Sequence, residues 1–128
     1  MQVKSQFPIY WKPLFLKPVF KERIWGGQAL REIFEYEIPT DHTGECWAIS
    51  ADPNGPSVIE NGKFAGMTLD ILWKKHPELF GNPEGDLFPL LTKILDAHMD
   101  LSVQVHPDNS YAMMNENGEL VFIIALLY

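Results

Sequence analysis

The stretch that decides the expected fold is residues 101–108, which read LSVQVHPD. Side chains of a β-strand alternate between two faces, so this pattern predicts a strand with one apolar and one polar side. The apolar side would carry Leu101, Val103 and Val105. The polar side would carry Ser102, Gln104 and His106, each about 7 Å from the next. Because Pro107 has no N–H for a central strand, the strand is expected to end at His106.

Gln104 and His106 are candidates for a metal site. An imidazole at a strand end that faces a polar cavity can ligate a metal ion, and zinc is the first metal that such a donor indicates. A hydrogen-bonded pair on a surface or lining a barrel gives the same pattern. Spacing alone leaves both interpretations open.

Length and charge limit the possible functions. A chain of 128 residues forms one domain at most, and a hydrophobic content of 46% is sufficient for a core. The net charge of −7 argues against a nucleic acid or an anionic membrane as partner, since both attract positive patches. It does not exclude a phosphorylated sugar, which needs only a few local donors.

Cysteine content and apolar runs bear on location. The chain has one cysteine, Cys46, so an internal disulfide is impossible, which fits the reducing cytoplasm. Residues 1–10 lack the pattern of a signal peptide. The apolar run 121–128 is far shorter than the roughly 20 residues that span a bilayer. We therefore expect a cytoplasmic protein.

Several short elements are predicted from local signals. An apolar face made of Leu30, Ile33 and Phe34 indicates a short helix over 28–34. The pair Asn61–Gly62 suits the turn of a β-hairpin. Further elements are a helix over 69–75 with Thr68 as N-cap and a helix over 109–117. Over 88–97 periodicity fits a helix or a strand, and Pro89 with the short link to the next strand favours the strand.

Four side chains outside the opening stretch need an interpretation, and two of them, Glu45 and Lys93, have more than one. On a strand over 45–50, Glu45 is either a site carboxylate or a solvated charge at the strand end, and the solvated charge is favoured. Cys46 is expected to be a small buried hydrophobe, and Trp25 a core or rim aromatic. Lys93 would be a lone cation in an apolar strand, which is costly unless an anion pairs with it or its stem reaches solvent.

The chain resembles the cupin-type mannose-6-phosphate isomerases, also called phosphomannose isomerases. The resemblance rests on four segments in the expected order: 18–27 (PVFKERIWGG), 43–50 (TGECWAIS), 88–97 (FPLLTKILDA) and 102–108 (SVQVHPD). It runs over residues 13–120, between an N-terminal arm, 1–12, and an atypical apolar tail, 121–128. It implies a mainly β fold with short helices, the N-terminal part of a cupin-like jelly roll.

The resemblance also implies an activity and a set of site residues. The family interconverts mannose 6-phosphate and fructose 6-phosphate through an enediol, with zinc polarising the carbonyl. Gln104 and His106 would be zinc ligands, Lys93 an active-site lysine, and Ser102 a hydrogen-bond partner of the phosphate or of a water. A phosphorylated hexose is thus the expected substrate, and the oligomeric state stays open.

After Leu120 the similarity to the family motifs ends, which indicates a truncated enzyme. The family's glutamate ligand, second histidine ligand and catalytic arginine have no counterpart in this sequence. Since zinc sites normally use three or four protein ligands, we expect weak zinc binding and little or no turnover. A non-catalytic cupin-type module that binds sugars is the alternative. The tail itself would be one more buried strand or, if exposed, an aggregation segment.

Overall fold

The computed structural model describes residues 12–101 and 122–127, and strands dominate this part of the chain. The strands are β1 (Leu16–Lys17), β2 (Val19–Gly27), β3 (Thr43–Ile49), β4 (Val58–Ile59), β5 (Leu90–Leu95) and β6 (Phe122–Leu127). The helices are α1 (Ala29–Glu32) and α2 (Leu69–Lys75), and two 3₁₀ turns cover Gly62–Phe64 and Pro77–Phe80. The expectation of a mainly β fold with short helices is therefore met.

The strands form two sheets of unequal size. β1 and β4 make an antiparallel pair, and the larger sheet has the order β2-β3-β5-β6. β2, β3 and β5 are antiparallel neighbours, whereas β5 and β6 run parallel. β3 is thus an inner strand, with a neighbour on each side that can contribute side chains to the same face.

Two clusters of apolar side chains hold these elements together. The first lies between α1 and one face of the larger sheet and contains the buried residues Leu30, Ile38 and Cys46 with Phe20, Phe34, Tyr36 and Ile94 around them. The second joins β1, β4 and α2 and contains the buried residues Ile59, Phe64 and Leu72. The first cluster covers one face of β3 and leaves the other face for polar side chains.

α2 and β5 lie where the sequence predicts them. α2 covers 69–75 with Thr68 at the N-cap position, although the Thr68 side chain makes no capping hydrogen bond. Leu69, Leu72 and Trp73 are its buried side. β5 covers 90–95, inside the predicted range 88–97.

The hairpin predicted at Asn61–Gly62 is confirmed in part, since the chain folds back but not through a two-residue turn. After the turn it pairs with β4 through an antiparallel bridge between Val58 and Thr68 and a hydrogen bond from the Ile59 N–H to the Met67 carbonyl at 2.9 Å. On its other side β4 pairs with β1, so that Leu16 is opposite Ile59. The Asn61 side chain reinforces this pairing, because its Oδ1 accepts from the Phe15 N–H at 2.7 Å and its Nδ2 donates to the Pro13 carbonyl at 2.9 Å. Gly62 does take a positive φ of 71°, but it opens a 3₁₀ turn.

The helix predicted over 28–34 is shorter than expected, since α1 is a single turn. Glu35 has a φ of 59°, in the left-handed region, and this reverses the chain so that the Tyr36 N–H donates to the Leu30 carbonyl at 3.0 Å. Leu30 is fully buried, but Ile33 is 48% exposed, so the predicted apolar face holds only in part.

The tail forms a strand, but its described side chains are not buried. β6 pairs in parallel with β5, with Lys93 opposite Ala125. Residues 124–127 are exposed, and Ile124, Leu126 and Leu127 are each more than half accessible. Of the two alternatives for the tail, the exposed one applies to these four residues. The arm 1–11, the strand end after Leu101 and the helix predicted over 109–117 lie outside the described residues.

Candidate functional site

The second face of β3 carries polar groups from three adjacent strands. Cys46 belongs to the first core, with Phe20 and Ile94 as its neighbours on β2 and β5. Strand alternation therefore places Glu45 and Trp47 on the opposite face. The register brings two lysines to that face, Lys21 beside Glu45 and Lys93 beside Trp47.

Glu45 is the centre of this face and binds cations from both neighbouring strands. Its Oε1 accepts a hydrogen bond from Lys93 Nζ at 3.1 Å. Its Oε2 accepts from Arg23 Nη2 at 2.9 Å and from Trp47 Nε1 at 3.0 Å. Only 9% of the Glu45 side chain is accessible. We refer to these charged side chains as the Arg23–Glu45–Lys93 cluster.

The cluster keeps Glu45 ionised despite its burial. Burial by itself raises the pKa of the Glu45 carboxyl, because a charge loses its hydration there. Hydrogen bonds from Trp47 and Lys93, together with the charges of Lys93 and Arg23, act in the other direction and outweigh burial. The pKa of Glu45 therefore lies below its ordinary value, and the carboxylate is charged at neutral pH.

The interpretation of Glu45 as a solvated charge at a strand end is wrong. The residue is 7% exposed and lies inside β3, because the strand begins two residues earlier, at Thr43. Its partners are 22 and 48 residues away along the chain, at Arg23 and Lys93. The local sequence contains no sign of either contact.

Of the two alternatives for Lys93, pairing with an anion is the one that the structure shows. The ammonium contacts Glu45, and 16% of the Lys93 side chain is accessible. Among the described residues, Glu45 Oε1 is the acceptor found for this ammonium, which has three hydrogens to donate. The group is therefore held in place yet has donors to offer a ligand. A catalytic role for Lys93 stays a prediction.

Arg23 reaches Glu45 over a glycine. A Cβ atom at Gly44 would lie 2.6 Å from Arg23 Cβ and 2.7 Å from Trp25 Cζ3, so no side chain fits there without displacing both. Trp25 is half-buried, as a rim aromatic should be, and its carbonyl accepts from the N–H groups of His98 and Met99 at 2.9 and 3.2 Å. Because Gly44 has no side chain, Arg23 and Trp25 can pack directly against the backbone of β3.

Lys21 adds a further cation on the same face. Its Nζ lies 4.6 Å from the centroid of the Trp47 ring, within the range of a cation–π contact, and it also donates to the Asn54 carbonyl. Sequence analysis assigned no role to Lys21, Arg23 or Trp47. Their alternate spacing along β2 and β3 was the signal that could have placed them on one face.

The three remaining predicted site residues, Ser102, Gln104 and His106, lie outside the described residues. Within 12–101 and 122–127 no group of three or more His, Cys, Asp or Glu side chains could hold a metal ion. Glu45 has both oxygens engaged by hydrogen-bond donors, so it is not a free ligand. The donors in this part of the chain therefore do not fit a zinc ion by themselves.

Two other findings limit where function resides. A surface pocket of about 300 Å³ on α2 is lined by Trp73, Lys74, Pro77, Pro83, Gly85 and Asp86, and contains none of the predicted site residues. No helix in the described ranges is long and apolar enough to cross a bilayer.

The fold defines the class to which this protein is similar. The structure matches the crystal structure of the mannose 6-phosphate isomerase from Bacillus subtilis with a TM-score of 0.82 and 62% sequence identity, over 84% of this chain and 34% of that one. The class is therefore the cupin-like sugar isomerases, in agreement with the expected fold.

The sequence comparisons define the family. Residues 14–126 match the model of the phosphomannose isomerase type I catalytic domain, so the chain belongs to this family. It is 64% identical over 109 residues to mannose-6-phosphate isomerase ManA of Bacillus subtilis strain 168. It is 59% identical over 109 residues to mannose-6-phosphate isomerase of Streptococcus mutans. The chain spans about a third of the length of these relatives, 34% in each case.

Proposed function

We propose that this chain takes part in the interconversion of mannose 6-phosphate and fructose 6-phosphate, by proton transfer between C1 and C2 through an enediol. The observation that carries the proposal is the Lys93–Glu45 pair, an ion pair of 3.1 Å in a chain of the phosphomannose isomerase type I family. An ammonium held by a buried carboxylate suits the stabilisation of an oxyanion that develops on a substrate.

Lys93 and Ser102 are the proposed substrate-contacting residues. The Lys93 ammonium would hydrogen-bond the substrate oxygen at the reacting carbons or relay a proton there, since Glu45 engages one of its hydrogens. The Ser102 hydroxyl would hydrogen-bond the phosphate or a water beside it. Both roles require a side chain that donates a hydrogen bond to the substrate while its position stays fixed.

Zinc is the proposed cofactor, with Gln104 and His106 among its ligands. An imidazole nitrogen and an amide oxygen two residues apart on one strand face are suitable donors. Bound zinc would supply a Lewis acid that polarises a carbonyl. Glu45 is left out of this ligand set because Lys93, Arg23 and Trp47 engage its oxygens. For location, the buried single thiol of Cys46 supports the cytoplasm.

A coupled assay tests the activity. The chain would be supplied with zinc and mannose 6-phosphate, and fructose 6-phosphate would be measured beside the Bacillus subtilis relative as positive control. We expect conversion well below that of the relative, because two neutral ligands complete only half of a usual zinc shell. Lys93→Met should abolish this conversion, and Lys75→Met, in the last turn of α2, should leave it unchanged.

Two results would contradict the proposal. One is conversion that Lys93→Met leaves unchanged, and the other is equal loss in Lys75→Met. Binding of mannose 6-phosphate without any conversion would instead favour the non-catalytic sugar-binding module.

A further inference from the structure

The chain contains three Asn–Gly pairs, at 54–55, 61–62 and 117–118, and the first two lie in the described residues. An asparagine that precedes a glycine is especially prone to spontaneous deamidation, because glycine has no side chain to hinder attack by its own nitrogen. The reaction requires the glycine nitrogen and the side-chain amide of the asparagine to be able to meet. The two described pairs differ in which of these two groups the fold engages.

In the Asn54–Gly55 pair the fold engages the nucleophile. The Gly55 N–H donates to the Asp52 carbonyl at 3.0 Å, which closes a turn. Gly55 is buried, and a Cβ atom there would lie 2.9 Å from Val19 Cγ1 and 3.2 Å from Trp47 Cε3. The Gly55 nitrogen can therefore reach the Asn54 side chain only if the turn leaves the larger sheet.

In the Asn61–Gly62 pair the fold engages the side-chain amide instead. Gly62 is exposed at the first position of a 3₁₀ turn, where an N–H has no acceptor within the turn, and no hydrogen bond joins this N–H to the described residues. Asn61 Oδ1 accepts from the Phe15 N–H at 2.7 Å, and Asn61 Nδ2 donates to the Pro13 carbonyl at 2.9 Å. The bonds to residues 13 and 15 therefore restrain the amide that the Gly62 nitrogen would attack.

β1, which follows these two residues, is a short strand that can detach without the larger sheet. It consists of two residues and pairs with β4, outside the four-stranded sheet. Leu14 and Leu16 pack against the second apolar cluster but are only partly buried. Short segments with few buried side chains open locally at a lower free energy than the core. When this segment opens, Asn61 loses both hydrogen bonds and its amide becomes able to react.

We propose that Asn61–Gly62 is a site of spontaneous deamidation whose rate depends on the docking of β1. The Gly62 nitrogen loses its proton and attacks Asn61 Cγ. The N–Cγ bond forms, the Cγ–Nδ2 bond breaks, and ammonia leaves after taking up a proton. Water then opens the cyclic imide to aspartate or isoaspartate. The reaction requires no oxidant and does not depend on isomerase activity.

The product disfavours the return of β1. A carboxylate at position 61 still accepts from the Phe15 N–H, but it cannot donate to the Pro13 carbonyl and places an acceptor opposite an acceptor. Isoaspartate also lengthens the main chain between β4 and the 3₁₀ turn. Deamidation therefore makes a brief opening of β1 a lasting one.

The test follows each Asn–Gly pair of the full chain by peptide mapping and mass spectrometry during incubation at mildly alkaline pH. Incubation in urea gives the rate of each pair in the unfolded chain. In the folded chain, Asn61 should react more slowly than in urea but faster than Asn54, whose glycine is buried. The proposal is overturned if folding does not slow Asn61, or if Asn54 reacts as fast as Asn61 in the folded chain.

Phe15→Pro tests the link to β1, because it removes the N–H that Asn61 Oδ1 accepts. It should accelerate deamidation of Asn61 about fivefold, the factor that corresponds to one lost hydrogen bond, and leave Asn54 unchanged. The matched control is Phe15→Ala, which removes a side chain that is 60% exposed but keeps the N–H. Equal rates at Asn61 in the two variants would overturn the proposal.

A product mimic tests the release of β1 and decides if Phe15→Pro does not fold, as circular dichroism would reveal. Asn61→Asp should increase the rate at which chymotrypsin cleaves the Phe15–Leu16 bond, because β1 is then undocked more often. Asn54→Asp adds the same charge at an exposed position of another turn and should leave that rate unchanged. Cleavage of Asn61→Asp at the rate of the original chain would show that the product does not release β1 and would overturn the proposal.

Discussion

Lys93 on β5 and Glu45 on β3 form an ion pair that runs diagonally between the two strands. The residue directly opposite Lys93 is Trp47, and the residue directly opposite Glu45 is Leu95. The Lys93 ammonium nevertheless reaches Glu45 Oε1 at 3.1 Å, and Trp47 Nε1 donates to the other oxygen at 3.0 Å. The three side chains therefore hold one another in position. Because Glu45 is the common acceptor, its removal should lower the stability of the fold more than removal of Lys93.

Glu45→Ala should destabilise the fold more than Lys93→Met. Removal of the carboxylate leaves Lys93, Arg23 and the Trp47 N–H without their common acceptor, a loss of about 3 kcal/mol for a buried pair. Removal of the ammonium leaves Glu45 with Arg23 and Trp47, a loss of about 1 kcal/mol. Urea denaturation measures both, with Glu60→Ala, an exposed glutamate, as control. Equal losses in the two variants would contradict this assignment.

The stability that Glu45 contributes should disappear in acid. Its pKa is lower in the folded chain than the ordinary value of 4.5, so the folded state binds fewer protons than the unfolded state as the pH falls. The contribution is complete above about pH 5 and decreases as the pH falls through the folded pKa. The difference in unfolding free energy between the original chain and Glu45→Gln should therefore shrink between pH 6 and pH 3. A difference independent of pH would refute the assignment.

Cys46 should be unreactive while the chain is folded. Burial raises the pKa of its thiol to about 11, and the residue has no accessible surface. Since the thiolate is the reactive form, an aromatic disulfide reagent should not modify the folded chain at pH 8. In urea, where the chain is unfolded, the reagent should modify one thiol per chain. Rapid modification without urea would show that the core around Cys46 opens.

Gly44→Ala should displace Arg23 and Trp25. The new methyl group would lie 2.6 Å from Arg23 Cβ and 2.7 Å from Trp25 Cζ3, so both must move, at a cost of about 1–3 kcal/mol. Gly81→Asn is the control, since Gly81 has a φ of 78° that asparagine tolerates and nothing lies within 4 Å of its Cβ position. Tryptophan fluorescence and urea denaturation should change in Gly44→Ala only. If Gly44→Ala changed neither the fluorescence nor the unfolding free energy, the close contact of residue 44 with Arg23 and Trp25 would not be required.

A charge on β6 should reduce self-association. Leu126 is 58% exposed on a strand whose other described side chains are apolar and accessible, which is a pattern that favours aggregation. Leu126→Lys should lower the light scattering of concentrated solutions. Leu87→Lys changes an equally exposed leucine outside the strands and should have little effect. An equal decrease of light scattering in both variants would mean that self-association does not depend on β6.

Sequence patterns predicted those elements that depend on neighbours along the chain. The apolar spacing around Leu69 and Leu72 indicated α2 over its observed range, and Pro89 with the short link to the next predicted strand favoured a strand over 88–97, where β5 lies. Cys46 was predicted to be a small buried residue, which is confirmed. These predictions succeed because helix and strand periods depend on local backbone geometry.

Other outcomes depend on contacts between distant segments. The chain folds back after Asn61–Gly62 as predicted, but Gly62 opens a 3₁₀ turn, and the Asn61 side chain binds the segment before β1. The tail had a buried and an exposed alternative, and the four residues 124–127 are accessible at the edge of the sheet. In each case the local pattern correctly indicated a turn or a strand, and contacts with distant segments decided how that element packs.

The sequence by itself determined the alternation of β3 and therefore that Trp47 shares a face with Glu45. It also determined the family, through motifs spread over most of the chain. Only the tertiary structure decided that Glu45 is buried and paired, since its partners Arg23 and Lys93 are 22 and 48 residues away. The physical reason is that strand pairing, which no local pattern encodes, brings the two cations close enough to offset the cost of burying a carboxylate.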